Sequence, residues 1–293
     1  MPSAGTKVES YDGSTWTNEP DCTQPSYSNA LGGVQTSAVK MGGQTDTPPV
    51  VTNAVETYDG STWTTSPATL ASARGYVGSA ANAPSNSAGL IVGGSTTAAV
   101  SGSTAATEEF NRSANVVTAG AWASGPTMIT ARSALGAARN GTQTSCLAFS
   151  GYEGSPAGIK TEEFDGSSWA NKNSMGTGRY NTPGTGIVTA ALAAGGNPPP
   201  QSSSTEEFDG TNWAANPTGL NTARYMGPLT GTQTAALFSG GTDTSSTMIT
   251  ATETYNGSAW TTSPATLNTG RAAYNAGAGT QTATVIWSGY VGP

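Results

Sequence analysis

The sequence predicts an all-β fold assembled from six repeats of one four-strand unit, and three observations carry that expectation. A phrase of the form Glu-x-aromatic-Asp/Asn-Gly-x-x-Trp recurs along the 293 residues, so closely that "VETYDGSTWTTSPATL" (55–70) and "TETYNGSAWTTSPATL" (252–267) differ at only three positions. Only 10% of residues are charged, and Gly, Ser, Thr, Ala and Asn fill much of the rest, a composition with few segments able to sustain a helix. Asp-Gly and Asn-Gly stand between short extended segments, and both dipeptides readily take the positive φ angles of a tight hairpin.

The copies run Glu9–Trp16 "ESYDGSTW", Glu56–Trp63 "ETYDGSTW", Glu162–Trp169 "EEFDGSSW", Glu206–Trp213 "EEFDGTNW" and Glu253–Trp260 "ETYNGSAW". A sixth, "EEFNRSANVVTAGAW" from Glu108 to Trp122, is stretched. Successive tryptophans are 47, 59, 47, 44 and 47 residues apart, a period that places repeats ahead of every other consideration. Ten or eleven residues after five of these tryptophans stands an arginine: Arg74, Arg132, Arg179, Arg224 and Arg271. The first copy has Ser26 or Tyr27 in that place. A Gly/Ala/Thr stretch follows, then a short apolar run ending in Gly-Gly or Ser-Gly, as in "LIVGG", "AALFSGG" and "VIWSG". Each unit therefore contains four strands: one after the Arg, one before the Gly pair, one at Glu-x-Tyr/Phe and one at the Trp.

A Gly pair, Glu-x-Tyr-Asp, a tight turn, a Trp and an Arg about ten residues on resembles the kelch repeat, and the resemblance covers nearly the whole chain. It implies a six-bladed β-propeller of four-stranded antiparallel blades, forming a single domain over residues 1–293. The chain begins with the third strand of one unit and ends after the second strand of another. Closure by one composite blade, with residues 7–17 pairing with residues 268–290, would leave no free edge at either terminus. The other five blades are expected near 22–64, 71–123, 130–170, 177–214 and 222–261. Strand alternation puts Glu56 and Tyr58 on one face, so the repeated aromatic rings are expected to pack between blades, and Gly and Ala to crowd toward the axis.

The first and third strands of a blade run the same way, so the repeated Glu and Arg start their strands at the same end. Glu56, Glu108, Glu162, Glu206 and Glu253 with Arg74, Arg132, Arg179, Arg224 and Arg271 are therefore read as a structural ring of ion pairs. Trp16, Trp63, Trp122, Trp169, Trp213 and Trp260 form its aromatic scaffold. Recurrence in every blade argues against a catalytic set, which would break the symmetry. The second Glu of each Glu-Glu pair points to the opposite face and is expected at the surface. The Asp residues before Gly are expected to be turn formers, since one carboxylate per loop is too few for calcium.

The chain contains no histidine, which removes imidazole-based triads, most zinc and copper sites and the copper chemistry of some kelch-like oxidases. No Walker-type glycine loop occurs. No enzyme activity, cofactor or metal is expected. The two cysteines, Cys22 and Cys146, are far apart and predict free thiols. Eighteen acidic against eleven basic residues give a net charge of −7, which opposes nucleic-acid binding. Neither an apolar run long enough to insert in a membrane nor an apolar leader at "MPSAGTKVESYDG" is present, so neither membrane insertion nor export is expected.

What varies between units is the connection after the Gly pair. "QTDTPPVVTNA", "NPPPQSSS" and "TDTSSTMITA" hold the candidate binding residues Thr45, Asp46, Pro48, Pro49, Asn197, Pro198, Gln201 and Asp243, on loops carried by a rigid ring. Phrases such as "NTARYMGPLTGTQTAALFSGG" are similar to kelch-type repeats of bacteriophage virion proteins. That resemblance implies a non-enzymatic structural or adhesive tail, fibre or capsid accessory protein. Such a protein would be located in the virion, be present in multiple copies, and bind other virion proteins, a host receptor or a glycan. A cell-encoded kelch interaction module and a lectin-like or glycan-active propeller are the alternative readings.

Overall fold

The computed structural model describes residues 3–46, 48–80, 86–99, 101–111, 121–154, 157–197, 202–273 and 276–291. Six four-stranded antiparallel sheets form the blades of a propeller, and among the described residues there is no helix. From inner to outer strand, blade I is Ala30–Val34, Ser37–Met41, Val55–Tyr58 and Trp63–Thr65. Blade II is Gly78–Ala80, Ala88–Val92, Thr107–Asn111 and Ala121–Ser124; blade III is Gly136–Ala137, Cys146–Phe149, Thr161–Phe164 and Trp169–Lys172. Blade IV is Gly184–Ile187, Ala190–Ala194, Thr205–Phe208 and Trp213–Asn216; blade V is Leu229–Thr232, Ala235–Ser239, Thr252–Tyr255 and Trp260–Thr262. Blade VI takes Gly277–Gly279 and Thr284–Trp287 from the C-terminal part, and Val8–Tyr11 and Trp16–Glu19 from the N-terminal part.

The composite blade is paired in register, with Val8 opposite Trp287 and Tyr11 opposite Thr284. A second tie was not foreseen from the repeat alone: Ser3–Ala4 pairs with Tyr290–Val291, which in turn pairs with Arg271–Ala272. The terminus thus serves as the return segment that the loop after the Gly pair supplies in other blades, where Gln44 pairs with both Tyr27 and Val51.

Among the described residues the core consists of six clusters, one at each interface between neighbouring blades. Trp63, Tyr58 and Leu31 of blade I pack on Trp287 and Val285 of blade VI, and Phe238 and Leu229 of blade V on Leu192 and Ala194 of blade IV. The hairpin sets up this packing by placing the aromatic of the third strand directly opposite the Trp of the outer one. Tyr58 faces Trp63 with ring centroids 5.1 Å apart, and Tyr255 faces Trp260 at 4.9 Å. Rings also reach across interfaces: Trp213 of blade IV lies 4.8 Å from Phe149 of blade III, and the Trp260 indole donates to Thr205 Oγ1 of blade IV at 2.9 Å. In a chain with few large aliphatic residues these rings, each burying about 150–250 Å², carry much of the apolar area. The Trp122 backbone belongs to the outer strand of blade II, while its side chain lies outside the described residues.

The Gly pair explains why its two positions differ in sequence. The second glycine has φ near 100° in every blade: 113° at Gly43, 102° at Gly94, 107° at Gly151, 112° at Gly196, 98° at Gly241 and 98° at Gly289. No L side chain is comfortable there. The first position has φ near 60°, the left-handed well that a small polar residue tolerates, and it is occupied by Ser150 at 56° and Ser288 at 62° in two blades. Gly94→Ser is therefore expected to be far more damaging than Gly93→Ser, because a Cβ at Gly94 would also sit 2.4 Å from Val77 Cγ1 and 2.7 Å from the Gly75 carbonyl. Urea midpoints of the two variants check this; a loss of about 1–3 kcal/mol from backbone conformation alone is expected for Gly94→Ser, with the clash added.

Candidate functional site

Strand direction sorts the connections onto two ends of the ring. Turns between first and second strands share one end with the Asp-Gly hairpins: a Cβ added at Gly60 would lie 3.0 Å from the Thr36 carbonyl oxygen. The loops after the Gly pair and the links after the Trp share the other, where the repeated Arg and Glu lie.

In blades II to V the repeated Arg is buried and grips three groups. Arg224 donates from Nη1 to the carbonyls of Gly240 (3.2 Å) and Ala251 (2.9 Å), and from Nη2 to Glu253 (2.7 Å). Arg179 does the same with Gly195, Ser204 and Glu206, the last at 2.6 Å. Arg74 pairs with Glu108, Arg132 with Glu162, and Arg271 with Glu9 across the chain termini. The carboxylate has a second task. Its other oxygen accepts an amide of the incoming link, from Ala71 to Glu108 (2.7 Å), Gly176 to Glu206 (2.7 Å) and Asn221 to Glu253 (2.8 Å). Burial pushes the guanidinium of Arg74 and Arg224 down to about 10, which leaves both charged at neutral pH.

Blade I, which lacks the Arg, fills the gap from a different strand. Lys40 stands directly opposite Glu56 on the neighbouring strand, and its Nζ donates to Glu56 at 2.7 Å and to the Gln24 carbonyl at 2.6 Å. The sequence pattern passes over this residue because its position is not the repeat's Arg position. The second glutamates are not simply solvated: Glu163 pairs with Lys172 at 2.5 Å, and Glu207 accepts from Asn216 at 3.1 Å and from the Tyr255 hydroxyl.

The candidate loop residues divide. Pro48 and Pro49 are exposed. Thr45 closes its own loop, donating from Oγ1 to the Pro48 carbonyl at 2.9 Å, and Asp243 accepts from the amides of Ser245 and Thr247 at 2.9 Å each. Burial raises the Asp46 carboxyl above its ordinary value. Asn197 pairs with Tyr180, and its Nδ2 donates to the Tyr180 hydroxyl at 3.1 Å. Pro198 and Gln201 lie outside the described residues.

Missing from the sequence-based set are the tyrosines. Tyr27, Tyr180 and Tyr225 directly follow the repeat's Arg position, Tyr152 and Tyr290 directly follow the Ser-Gly pair, and these two positions pair with each other across each blade. With Tyr76 they gather on the loop-bearing end. Tyr27 is buried under Tyr290, with ring centroids 3.9 Å apart, while Tyr76, Tyr152, Tyr180, Tyr225 and Tyr290 are half-buried. Burial pushes Tyr76 up to about 12 and raises Tyr290 as well. Each ring offers an apolar face and a polar hydroxyl tip. The signal available in the sequence was Tyr at repeat-aligned positions outside the Glu-x-Tyr phrase.

Cys22 and Cys146 are free and buried, and burial pushes both thiols up to about 12. Among the described residues no three of His, Cys, Asp and Glu are grouped so that they could hold a metal ion. No protein-family model matches the chain, and no curated protein matches its sequence.

Replacing Arg224 by Met leaves Glu253 buried without its cation and is expected to destabilise the protein by about 3–5 kcal/mol in chemical denaturation. Adding Glu253→Gln should recover part of that loss, a coupling that two independent sites would not show. A separate expectation concerns the hairpins. Hydrogen bonds from the amides of Thr62 and Ser61 hold the Asp59 carboxyl down at about 2, and those of Ser167 and Ser168 do the same for Asp165. A depressed carboxyl stabilises the fold fully above its unfolded value of 3.8 and loses that contribution as pH falls through about 2. Carboxyl resonances of these two aspartates followed by NMR should still be largely ionised at pH 3.

Proposed function

We propose that the chain is a kelch-type propeller of a bacteriophage virion. In this reading it is a non-enzymatic structural or adhesive part, such as a tail, fibre or capsid accessory protein, that binds a partner protein or a surface glycan through its loop-bearing end. The observation that carries the binding half is the group of half-buried tyrosines collected among variable loops on one end of a rigid ring. Tyrosine offers a large apolar face with a polar tip and loses little conformational freedom when it is covered, which is why it is favoured where proteins meet partners. The loops differ from blade to blade while the ion pairs beneath them do not, so the surface varies on a constant support. The virion half rests on the style of the repeats, their low charge and the absence of histidine. Multiple copies in a particle would let weak contacts add up as avidity.

The same end would serve a cell-encoded interaction module, and the neighbouring genes separate the two: portal, capsid or tail genes support the virion, metabolic genes the cell. The binding half is tested by replacing residues 45–50 with a Gly/Ser linker and, separately, by Tyr180→Ser with Tyr225→Ser. Both variants are expected to melt close to the parent and to lose incorporation into particles or adhesion to host cells by about tenfold or more, the equivalent of one or two good contacts. Unchanged assembly and adhesion, together with turnover of a glycan panel by the purified protein, would refute the reading.

A further inference from the structure

The chain contains two Asn-Gly dipeptides, Asn140-Gly141 and Asn256-Gly257, and the fold treats them differently. Asn256 opens the hairpin turn of blade V, between the third strand, which ends at Tyr255, and the outer strand, which begins at Trp260. Four other blades have aspartate at this position: Asp12, Asp59, Asp165 and Asp209. The turn itself is the same in all five. Its first side chain accepts, through Oδ1, the amides two and three residues on, from Ser61 and Thr62 at 2.9 and 2.7 Å for Asp59, and from Ser258 and Ala259 at 3.0 and 2.9 Å for Asn256. The glycines that follow, Gly13, Gly60, Gly166, Gly210 and Gly257, all have φ between 90° and 101°.

An asparagine followed by glycine can close on itself, because no Cβ shields the glycine nitrogen from the side-chain Cγ. Blade V supplies what that step needs. The Oδ1 bonds fold the carboxamide of Asn256 back over the Gly257 peptide, and the two amides point at the oxygen on which negative charge develops when Cγ is attacked, as in an oxyanion hole. Asn256 is exposed, and among the described residues no group accepts from its Nδ2 and none accepts from the Gly257 amide. Asn140 is the opposite case. It lies in residues 138–145, the link between the first two strands of blade III, where blades I, IV and V need only 35–36, 188–189 and 233–234. Its Nδ2 donates to the Gly231 carbonyl of blade V at 2.5 Å, its amide donates to the Gly186 carbonyl of blade IV at 2.9 Å, and the Gly141 amide donates to the Ala138 carbonyl at 3.1 Å. Leaving group and nucleophile are both tied.

We propose that Asn256 is a site of self-modification, the one Asn-Gly of the chain that the fold leaves open to deamidation. In the first step the Gly257 nitrogen bonds to Cγ, the Cγ–Nδ2 bond breaks, and Nδ2 leaves as ammonia, taking up a proton to replace the one lost from Gly257. Water then opens the succinimide: attack at Cγ gives aspartate, and attack at the backbone carbonyl carbon gives iso-aspartate. The aspartate product reproduces the turns of Asp59 and Asp165, whose amide donors hold the carboxyl down at about 2. Either product adds one negative charge at neutral pH to the end of the ring that carries the short turns.

Peptide mapping by mass spectrometry of the folded full chain, kept for weeks at neutral and at mildly alkaline pH, tests this. The peptide containing Asn256 is expected to gain about 1 Da, the change from NH2 to OH, at a rate that rises with pH because the attacking nitrogen must lose its proton. The peptide containing Asn140 is expected to convert at least about tenfold more slowly, its reacting groups being held apart. In concentrated urea both should convert at similar rates, since the fold then protects neither. Asn256→Asp should remove the gain from the first peptide. An unchanged Asn256 peptide, folded Asn140 converting as fast as Asn256, the same difference persisting in urea, or a gain that survives Asn256→Asp would overturn the proposal. None of these measurements involves the loop-bearing end, so this site and the binding reading stand or fall separately.

Discussion

The interaction on which the rest depends is a backbone hydrogen bond between neighbouring blades. The amide of the second glycine in each pair donates to the carbonyl of the next blade's Arg, from Gly43 to Arg74 (2.8 Å), Gly94 to Arg132 (3.1 Å), Gly151 to Arg179 (2.9 Å), Gly196 to Arg224 (3.0 Å) and Gly241 to Arg271 (2.8 Å). The sixth, from Gly289 to the Ser26 carbonyl at 3.3 Å, closes the circle. Nearer the axis a second set runs the other way, from the amides of Tyr76, Ala134 and Asn181 to the carbonyls of Ser28, Tyr76 and Ala134. Those axial residues are themselves left-handed, with φ of 50–56°, a conformation that costs roughly 1–2 kcal/mol at a non-glycine residue and persists where the surroundings fix it. The closed ring, and the opposed axial set that runs from blade I to blade V, leave each of these blades one orientation relative to the next.

Seen from these rings, the buried Arg has a positional role. Its carbonyl is held by the preceding blade, its guanidinium bonds to the first residue of its own Gly pair and to the entry of the third strand, and its Glu fastens the incoming link. A buried ion pair is poor evidence of net stabilisation, because removing two charges from water offsets most of their attraction. What the pair does provide is register: three segments of one blade meet at one cation, and the backbone of that residue is the anchor for the neighbouring blade. Apolar stability comes from elsewhere, from the Tyr, Phe and Trp rings that fill the six interfaces.

How much of this the sequence revealed follows from how periodic each feature is. The four strands of a blade, the hairpin opposing Tyr58 to Trp63 and the composite blade were legible, because each is repeated or is the remainder left by a repeat. The Glu and Arg were legible as partners because both start parallel strands. Lys40 was not, since a cation arriving from the second strand leaves no mark in the period and its meaning depends on facing Glu56 across the sheet. Ser3–Ala4 was not, because two residues carry no pattern of their own. The tyrosines were overlooked for the opposite reason: their positions are regular, but their gathering on one end emerges only once the blades are set around an axis.

Repetition and departure from it divide the molecule into support and candidate function. Groups that recur from blade to blade, the Gly pair, the ion pair and the facing aromatics, satisfy one another and leave little chemistry for a ligand. Departures fall at the two ends of the axis: loops of different length among tyrosines at one, and at the other a two-residue turn replaced by residues 138–145 in blade III and an Asp-Gly hairpin written Asn-Gly in blade V. A propeller tolerates such departures because each blade is fixed by its own hydrogen bonds and by its neighbours, so an altered connection at an end need not disturb the interfaces between blades. That is the physical reason to look for recognition at the ends of the axis: there a change in sequence alters the surface while the amide-to-carbonyl rings keep the geometry that presents it.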